Sequence, residues 1–132
     1  MRQANQWAWG LLALTVMLAG CTKLRDEKTV LVDPKQAKGV MAIPPQASAM
    51  KITVTATSST GPVTLYLAPT ADAEGAMLSI ESGKDSPKVL FKSTQGSSVT
   101  LEGNLPLNTD CTVIAFNDGD QKTEVKASII GK

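Results

Sequence analysis

Two cysteines and the absence of histidine determine most of the chemistry open to this 132-residue chain. A cysteine thiolate is a strong nucleophile, and it can be alkylated, acylated or oxidised. Without histidine, the chain cannot assemble a Ser-His-Asp or Cys-His catalytic set, or a His-ligated metal site. The two thiols, Cys21 and Cys111, are therefore the first places to look for covalent chemistry.

Cys21 follows a short apolar run that ends in small residues. The only charge before it is Arg2, and the run itself, WAWGLLALTVMLAG, spans 14 residues from Trp7 to Gly20. A positive start, a short apolar core and a small-residue exit are typical of a secretory signal peptide. A membrane-spanning helix needs about 20 apolar residues, so residues 1–20 favour a cleaved signal.

The end of this run, Leu18-Ala19-Gly20-Cys21, resembles the lipobox of bacterial lipoproteins. In that family a dedicated peptidase recognises the first three of these positions and cuts before the cysteine. The resemblance implies that the Cys21 thiol becomes a thioether to diacylglycerol and that the new amino terminus is acylated. Apart from this covalent lipid, no cofactor is expected. The alternative is an ordinary signal peptide that has a cysteine here by chance.

The same resemblance predicts a location. Thr22 follows the lipidated position, whereas an aspartate there retains lipoproteins at the inner membrane of well-studied diderm bacteria. In a diderm organism we therefore expect the outer membrane, facing the periplasm. In an organism with one membrane, we expect the outer face of the cell membrane. The membrane, reached through the lipid anchor, is the one partner that the resemblance names.

Removal of residues 1–20 changes the composition of the working protein. The processed chain has 112 residues, with 12 basic and 12 acidic side chains once Arg2 has left, and both tryptophans leave too. A nucleic-acid partner would require a basic patch, so this balance argues against one. Because an acylated Cys21 cannot form a disulfide, Cys111 is predicted to be a buried, inert thiol, with an intermolecular disulfide as the alternative.

Polar residues after Cys21 form no pattern typical of catalysis. No acid, base and nucleophile set can be assembled, so neither an enzyme nor a small-molecule substrate is expected. In the segment NDGD, Asn117, Asp118 and Asp120 could offer oxygens to Ca²⁺. A calcium site needs about six to eight ligands, however, and a hairpin turn is the favoured interpretation. The segments PTADAEGA and GKDSPK supply a candidate binding loop, with the charged residues Asp72, Glu74, Lys84 and Asp85.

Alternating apolar and polar residues predict short strands in the processed chain. Residues 21–29 are predicted to be a flexible tether, and the next two apolar runs, each stopped by proline, are predicted to be edge strands or extended segments. The nearly continuous apolar run CTVIAFN predicts a central strand covered on both faces. No amphipathic helix of useful length is expected. The other predicted strands are KITVTAT, VTLYLA, MLSIES, KVLFKS, SVTLEG and KTEVKASIIG.

About seven short strands separated by turn signals predict an all-β fold, an antiparallel β-sandwich over residues 30–132. A jelly roll or a small barrel is the nearest alternative. The segment SVTLEGNLPLNTDCTVIAFNDGDQKTEVKASI resembles the C-terminal half of a fibronectin type III or immunoglobulin-like sandwich. It is also similar to the pre-peptidase C-terminal type of β-sandwich. Cys111 stands where fibronectin-type domains usually have a tyrosine.

These observations predict an envelope lipoprotein that presents a non-catalytic domain. Its expected role is that of an accessory or structural module of an envelope assembly, with an envelope protein as partner. The alternative is an adhesion or ligand-binding module that recognises a protein or glycan. Such a module would use the candidate binding loop or an edge strand.

Overall fold

The computed structural model describes residues 24–132, which form two four-stranded antiparallel sheets packed face to face. The predicted signal peptide, residues 1–20, and the predicted lipobox, residues 18–21, lie outside the described residues. No helix within residues 24–132 is long and apolar enough to cross a membrane. The strands are β1 (Leu24–Val32), β2 (Ala37–Ile43), β3 (Lys51–Ser58), β4 (Val63–Pro69), β5 (Phe91–Lys92), β6 (Ser98–Asn104), β7 (Cys111–Asn117) and β8 (Thr123–Gly131); a 3₁₀ turn (Thr70–Asp72) leads into helix α1 (Ala73–Glu81).

The order of strands is that of a jelly roll. Sheet 1 has the order β1-β8-β3-β6, and sheet 2 has the order β2-β7-β4-β5. The predicted antiparallel β-sandwich is thus confirmed, with eight strands instead of about seven. An immunoglobulin-type sandwich places the first, second, fifth and fourth strands in one sheet. The immunoglobulin-like resemblance therefore does not extend to strand order, and the jelly-roll alternative describes the topology.

The core between the sheets is almost entirely aliphatic. Along β3, Ile52, Val54 and Ala56 are buried while the intervening polar residues face outward, which is the period of two expected for a half-buried strand. Leu65 and Leu67 of β4 face them from sheet 2 and are fully buried. Each such side chain contributes about 1.5–3 kcal/mol when it leaves water. Packing of branched aliphatic residues therefore stabilises the sandwich.

Strand β7 is covered on both faces, as its apolar sequence predicts. Val113 faces the core, and Ile114, which points to the opposite face, is fully buried as well. The cover over Ile114 comes from α1, where Ala73, Ala76 and Ile80 are spaced to lie on one side of the helix. Helix α1 thus forms a small second core on the outer face of sheet 2.

Helix α1 corrects the prediction of a strand at MLSIES and the expectation that no useful helix follows Cys21. Residues 77–81 belong to this helix. Its buried face is formed by Ala73, Ala76 and Ile80, so the helical spacing of apolar residues begins before the segment MLSIES. The predicted strand KVLFKS is regular only at Phe91 and Lys92. On either side of that pair, the Leu90 and Ser93 N–H groups still donate to β4 carbonyls, at 2.7 and 2.9 Å.

The two proline-stopped runs form β1 and β2, and both are edge strands, as predicted. The predicted tether is wrong for residues 24–29, because β1 pairs continuously with β8 from Leu24 to Val32. Leu24 and Val30 pack against the core, and this packing holds the charged residues 25–28 in the strand. The sandwich therefore begins three residues after Cys21.

Replacement of Ile114 tests the packing of α1 on β7. The Ile114→Ala variant is expected to lose about 2–5 kcal/mol of unfolding free energy, because it leaves a cavity beneath the helix. Leu78, which is 62% exposed on the same helix, provides the control. The Leu78→Ala change is expected to alter stability by no more than about 0.5 kcal/mol. Urea denaturation measures both, and equally small losses would contradict the packing.

Candidate functional site

The four residues of the predicted binding loop do not form one surface. Asp72 directly precedes α1 and Glu74 lies in its first turn, whereas Lys84 and Asp85 follow the end of the helix. A helix rises about 1.5 Å per residue, so the two pairs are separated by the whole length of α1, about 14 Å. The structure therefore keeps only the second pair as part of a candidate site.

Lys84 and Asp85 line a depression of about 360 Å³ on the outer face of sheet 2. Tyr66 of β4, Lys92 of β5 and Phe116 of β7 line it as well. These five residues define what we call the Tyr66 depression. Strand register explains their meeting, since Thr64 pairs with Phe116 and Tyr66 pairs with Lys92.

Tyr66 is a residue of this depression whose pKa is shifted. Burial raises the pKa of Tyr66, and the nearby carboxylates Asp118 and Asp85 raise this pKa further, because both effects disfavour the phenolate. The Lys92 ammonium lies 5.8 Å from the centre of the Tyr66 ring, within range of a cation–π interaction. The depression thus offers a phenol hydroxyl, two lysine side chains, an aspartate side chain and aromatic surface.

Sequence reasoning missed Tyr66, Lys92 and Phe116 as one group. Tyr66 stands out in VTLYLA as an aromatic residue at an outward position, and Phe116 occupies an outward position in CTVIAFN. Their meeting depends on the pairing of β4 with β7, which sequence spacing alone does not give. The loop that joins α1 to β5 then brings Lys84 and Asp85 to the same place.

The segment NDGD is a connection between the sheets, and the predicted hairpin is wrong because β7 and β8 belong to different sheets. None of residues 117–120 has a positive φ. Asn117 is fully buried, and its Nδ2 donates to the carbonyls of Val32, at 3.0 Å, and Gln121, at 2.8 Å. Its Oδ1 accepts the N–H of Gly119 at 2.8 Å. This side chain therefore ties the end of β1 to the end of β7.

One of the two carboxylates of NDGD is likewise directed at a protein group. Asp118 accepts a hydrogen bond from the Thr64 hydroxyl at 2.8 Å. Asp120 is 95% exposed and lies 4.0 Å from the Lys35 ammonium. Within residues 24–132, no three His, Cys, Asp or Glu side chains cluster in a way that could hold a metal ion. The side-chain oxygens of Asn117 and Asp118 thus stabilise the fold, whereas the Asp120 carboxylate faces solvent.

Cys111 is fully buried at the start of β7. Burial raises the pKa of its thiol, and the neighbouring Asp110 carboxylate adds to this rise. A protonated, enclosed thiol is a poor nucleophile. The predicted burial of Cys111 is confirmed, whereas Leu18, Ala19, Gly20 and Cys21 lie outside the described residues.

The open side of edge strand β1 is partly satisfied by the protein itself. Asp26 Oδ1 accepts the main-chain N–H of Glu27 at 2.8 Å, and Lys38 Nζ donates to the main-chain carbonyl of Leu31 at 3.1 Å. Residues 25–28 are all charged and exposed. Charged side chains on an edge disfavour pairing with another chain. This edge is therefore a poor acceptor for an added strand.

The Asn117→Ala variant is expected to lose about 2–4 kcal/mol of unfolding free energy, because the buried Val32 carbonyl and the partly buried Gln121 carbonyl lose their donor. Asp120→Ala, in the same turn but exposed, is the control and is expected to change stability by less than about 0.5 kcal/mol. Thermal denaturation measures both variants. Millimolar Ca²⁺ is expected to leave the Tm of the unmodified protein unchanged, and a clear rise would restore the calcium interpretation.

Titration of phenolate absorbance follows Tyr66 alone, because the chain has a single tyrosine. We expect Tyr66 to ionise above its ordinary pKa of 10.0. Asp85→Asn should lower this pKa, because it removes a negative charge beside the phenol. Asp72→Asn, at the other end of α1, is the matched control and should leave the titration unchanged. An identical effect of both substitutions would place Asp85 away from Tyr66.

No protein-family model matches this chain, and no characterised protein matches it in sequence. Several solved structures are similar to it. The crystal structure of PirA is 14% identical, with a TM-score of 0.46 over 76% of this chain and 90% of that chain. A structure of Bacillus endospore appendages, described as a novel family of disulfide-linked pili, is 12% identical, with a TM-score of 0.43 over 82% and 86%. The acidic stable capsid structure of Helicobacter pylori bacteriophage KHP30 is 11% identical, with a TM-score of 0.44 over 82% and 90%. The fold assignment rests on the strand order of the chain itself.

Proposed function

We propose that this protein is a bacterial envelope lipoprotein whose non-catalytic jelly roll serves as an accessory or structural module of an envelope assembly. The observation that carries the proposal is the sequence Leu18-Ala19-Gly20-Cys21 at the end of a signal-like run. The start of β1 at Leu24 supports it, because the sandwich follows almost directly on the lipidated position. The lipid would then hold the domain close to the bilayer.

Two observations support a non-catalytic role. The chain has no histidine, and its second thiol, Cys111, is enclosed in the core. In the NDGD turn, which is the segment most like a metal site in the sequence, the side chains of Asn117 and Asp118 bond to other parts of the fold. Binding or assembly is the kind of activity that such a domain supports.

The location follows from the same anchor. Thr22 after the cysteine favours the outer membrane of a diderm bacterium, with the domain in the periplasm. In a bacterium with one membrane, the domain would lie on the outer face of the cell. Stable anchoring generally takes two lipid signals. A thioether-linked diacylglycerol carries two acyl chains, and the N-acyl group adds a third.

A second candidate function is recognition of a peptide or glycan at the Tyr66 depression. Its specific support is the meeting of Tyr66 and Phe116 with charges of both signs on an otherwise helix-covered sheet face. Aromatic surface and a phenol hydroxyl suit stacking and hydrogen bonding. After removal of residues 1–20 the chain has no tryptophan, so Tyr66 fluorescence in the presence of peptidoglycan fragments or peptides reports occupancy directly.

The two cysteines give a matched test of the anchor. In a bacterial host, the full chain is expected to incorporate labelled palmitate and to float with membranes in a density gradient. Cys21→Ala should abolish labelling, because the thioether can no longer form. Cys111→Ala removes the buried thiol and should leave labelling and flotation unchanged. Palmitate labelling of the Cys21→Ala chain would overturn the lipoprotein proposal.

A further inference from the structure

The two ends of the sandwich differ in their distance from the proposed anchor. Strand β1 begins at Leu24, and register places Gly131 of β8 beside it and Ile52 of β3 beside Gly131. We call this end of the sandwich the proximal end. The opposite, distal end carries the loops 33–36, 59–62, 93–97 and 118–122. Nine residues of β1 separate the two ends by about 27 Å, at about 3.3 Å per residue.

The outer face of sheet 1 changes character at the proximal end. Most of this face is polar, with threonine, serine and charged residues. Two large apolar residues break that pattern: Ile130, which is 43% exposed at the proximal end, and Leu31, which is 54% exposed near the distal end. Ile130 lines a hollow together with two lysine side chains. Arg25 and Thr53 are its cross-strand neighbours. We call the group Arg25, Lys51, Ile130 and Lys132 the proximal patch.

Lys51 and Lys132 lie directly opposite each other, and their main chains exchange two hydrogen bonds of 3.0 Å. Together with Thr53 and Ile130 they line a shallow hollow of about 380 Å³. Two like charges opposite each other in a sheet destabilise it. Within residues 24–132, neither lysine forms an ion pair at 4.0 Å or less. The hollow thus combines unpaired cations with an exposed aliphatic side chain.

Carboxylates border the patch on β1, where Asp26 follows Arg25, and on β6, where Glu102 pairs with Thr53. Arg25 also forms no ion pair within the described residues. On the same face, Glu102 lies in the same cross-strand row as Ile130 and Arg25 and accepts a hydrogen bond from the Thr53 hydroxyl at 3.4 Å, whereas Glu27 lies further from the proximal end along β1. Asp72 and Asp110 are at the proximal end, but they belong to the sheet 2 half. Positive charge at this end is therefore concentrated on sheet 1.

The chain between Cys21 and Leu24 limits how far the domain can stand from the bilayer. Three residue steps span at most about 11 Å in any conformation. This reach is less than half the length of β1. The short connection therefore keeps the proximal end near the membrane surface. If β1 runs away from the membrane, the distal end stands clear of it.

We propose that the proximal patch lies on the anionic headgroups of the membrane that holds the Cys21 lipid, so that the domain leans onto sheet 1. This inference rests on the proposed lipidation of Cys21. Lysine and arginine near an anionic leaflet are attracted to it, and their aliphatic stems allow Ile130 to lie in the interface beside them. With sheet 1 tilted toward the membrane, the distal loops and the Tyr66 depression, which is on sheet 2, remain accessible to a partner.

Single tryptophans test this orientation, because the processed chain has none. The full chain carrying Ile130→Trp is compared with the full chain carrying Leu31→Trp. Leu31 is 54% exposed on the same face of sheet 1 but near the distal end, which makes it a matched control. Each lipidated protein is reconstituted in phosphatidylglycerol-containing vesicles that carry nitroxide quenchers on the headgroups.

Fluorescence quenching is expected to be several-fold stronger in the Ile130→Trp protein than in the Leu31→Trp protein. Adding Lys51→Glu to Ile130→Trp, or using phosphatidylcholine vesicles without anionic lipid, should reduce the quenching. About 1 M salt should do the same, since it shortens the screening length to about 3 Å. Equal quenching of the two tryptophans, or none in either, would overturn the proposed orientation.

Mass spectrometry of the purified chains separates this inference from the anchor itself. If the chain has the mass of the acylated protein but both tryptophans are quenched equally, the lipoprotein proposal is supported and the proposed orientation is wrong. A processed chain without acyl groups removes the lipoprotein proposal, and the orientation with it. Strong quenching of Ile130→Trp that is insensitive to salt and to lipid charge would overturn the role given to Arg25 and the two lysines.

Discussion

The arrangement of this domain depends on one constraint, which is that β7 is apolar on both of its faces. Sheet 1 covers the inner face, but the outer face would expose Ile114 to water if nothing crossed it. Helix α1 supplies that cover through small residues that allow a close approach. Because the helix must start and end beside sheet 2, the following loop returns over Tyr66. The depression there is thus a by-product of covering β7.

Polar side chains complete the fold where the chain passes between sheets. At the distal end, Asn117 bonds to three main-chain groups, and Thr123 accepts the Thr60 N–H at 2.9 Å. Buried polar atoms that lack partners are costly, and within residues 24–132 no buried side-chain nitrogen or oxygen is left without one. These contacts hold the distal loops in place, which gives any partner a preformed surface.

Sequence patterns predicted the sandwich well, because strands with one buried face carry a clear period of two, as in residues 51–57. The covered strand β7 and the proline-stopped edges were also predictable from composition alone. Helix α1 was not, because its apolar positions are mostly alanine and its second half resembles a short strand. The predicted hairpin at Asn117 was wrong, because turn-forming residues indicate where the chain bends but not which sheet the next strand joins. The Tyr66 depression depends on pairing between distant segments, which no local pattern encodes.

The long pairing of β1 with β8 has a mechanical consequence. With attachment at Cys21 and a partner at the distal loops, tension would run along the axis of β1. Antiparallel hydrogen bonds lie perpendicular to the strands, so such a pull loads the rungs from Leu24 to Val32 together in shear. Peeling them one at a time would require force in another direction. The strand next to the proposed anchor is thus oriented to resist extraction of the chain from its own fold.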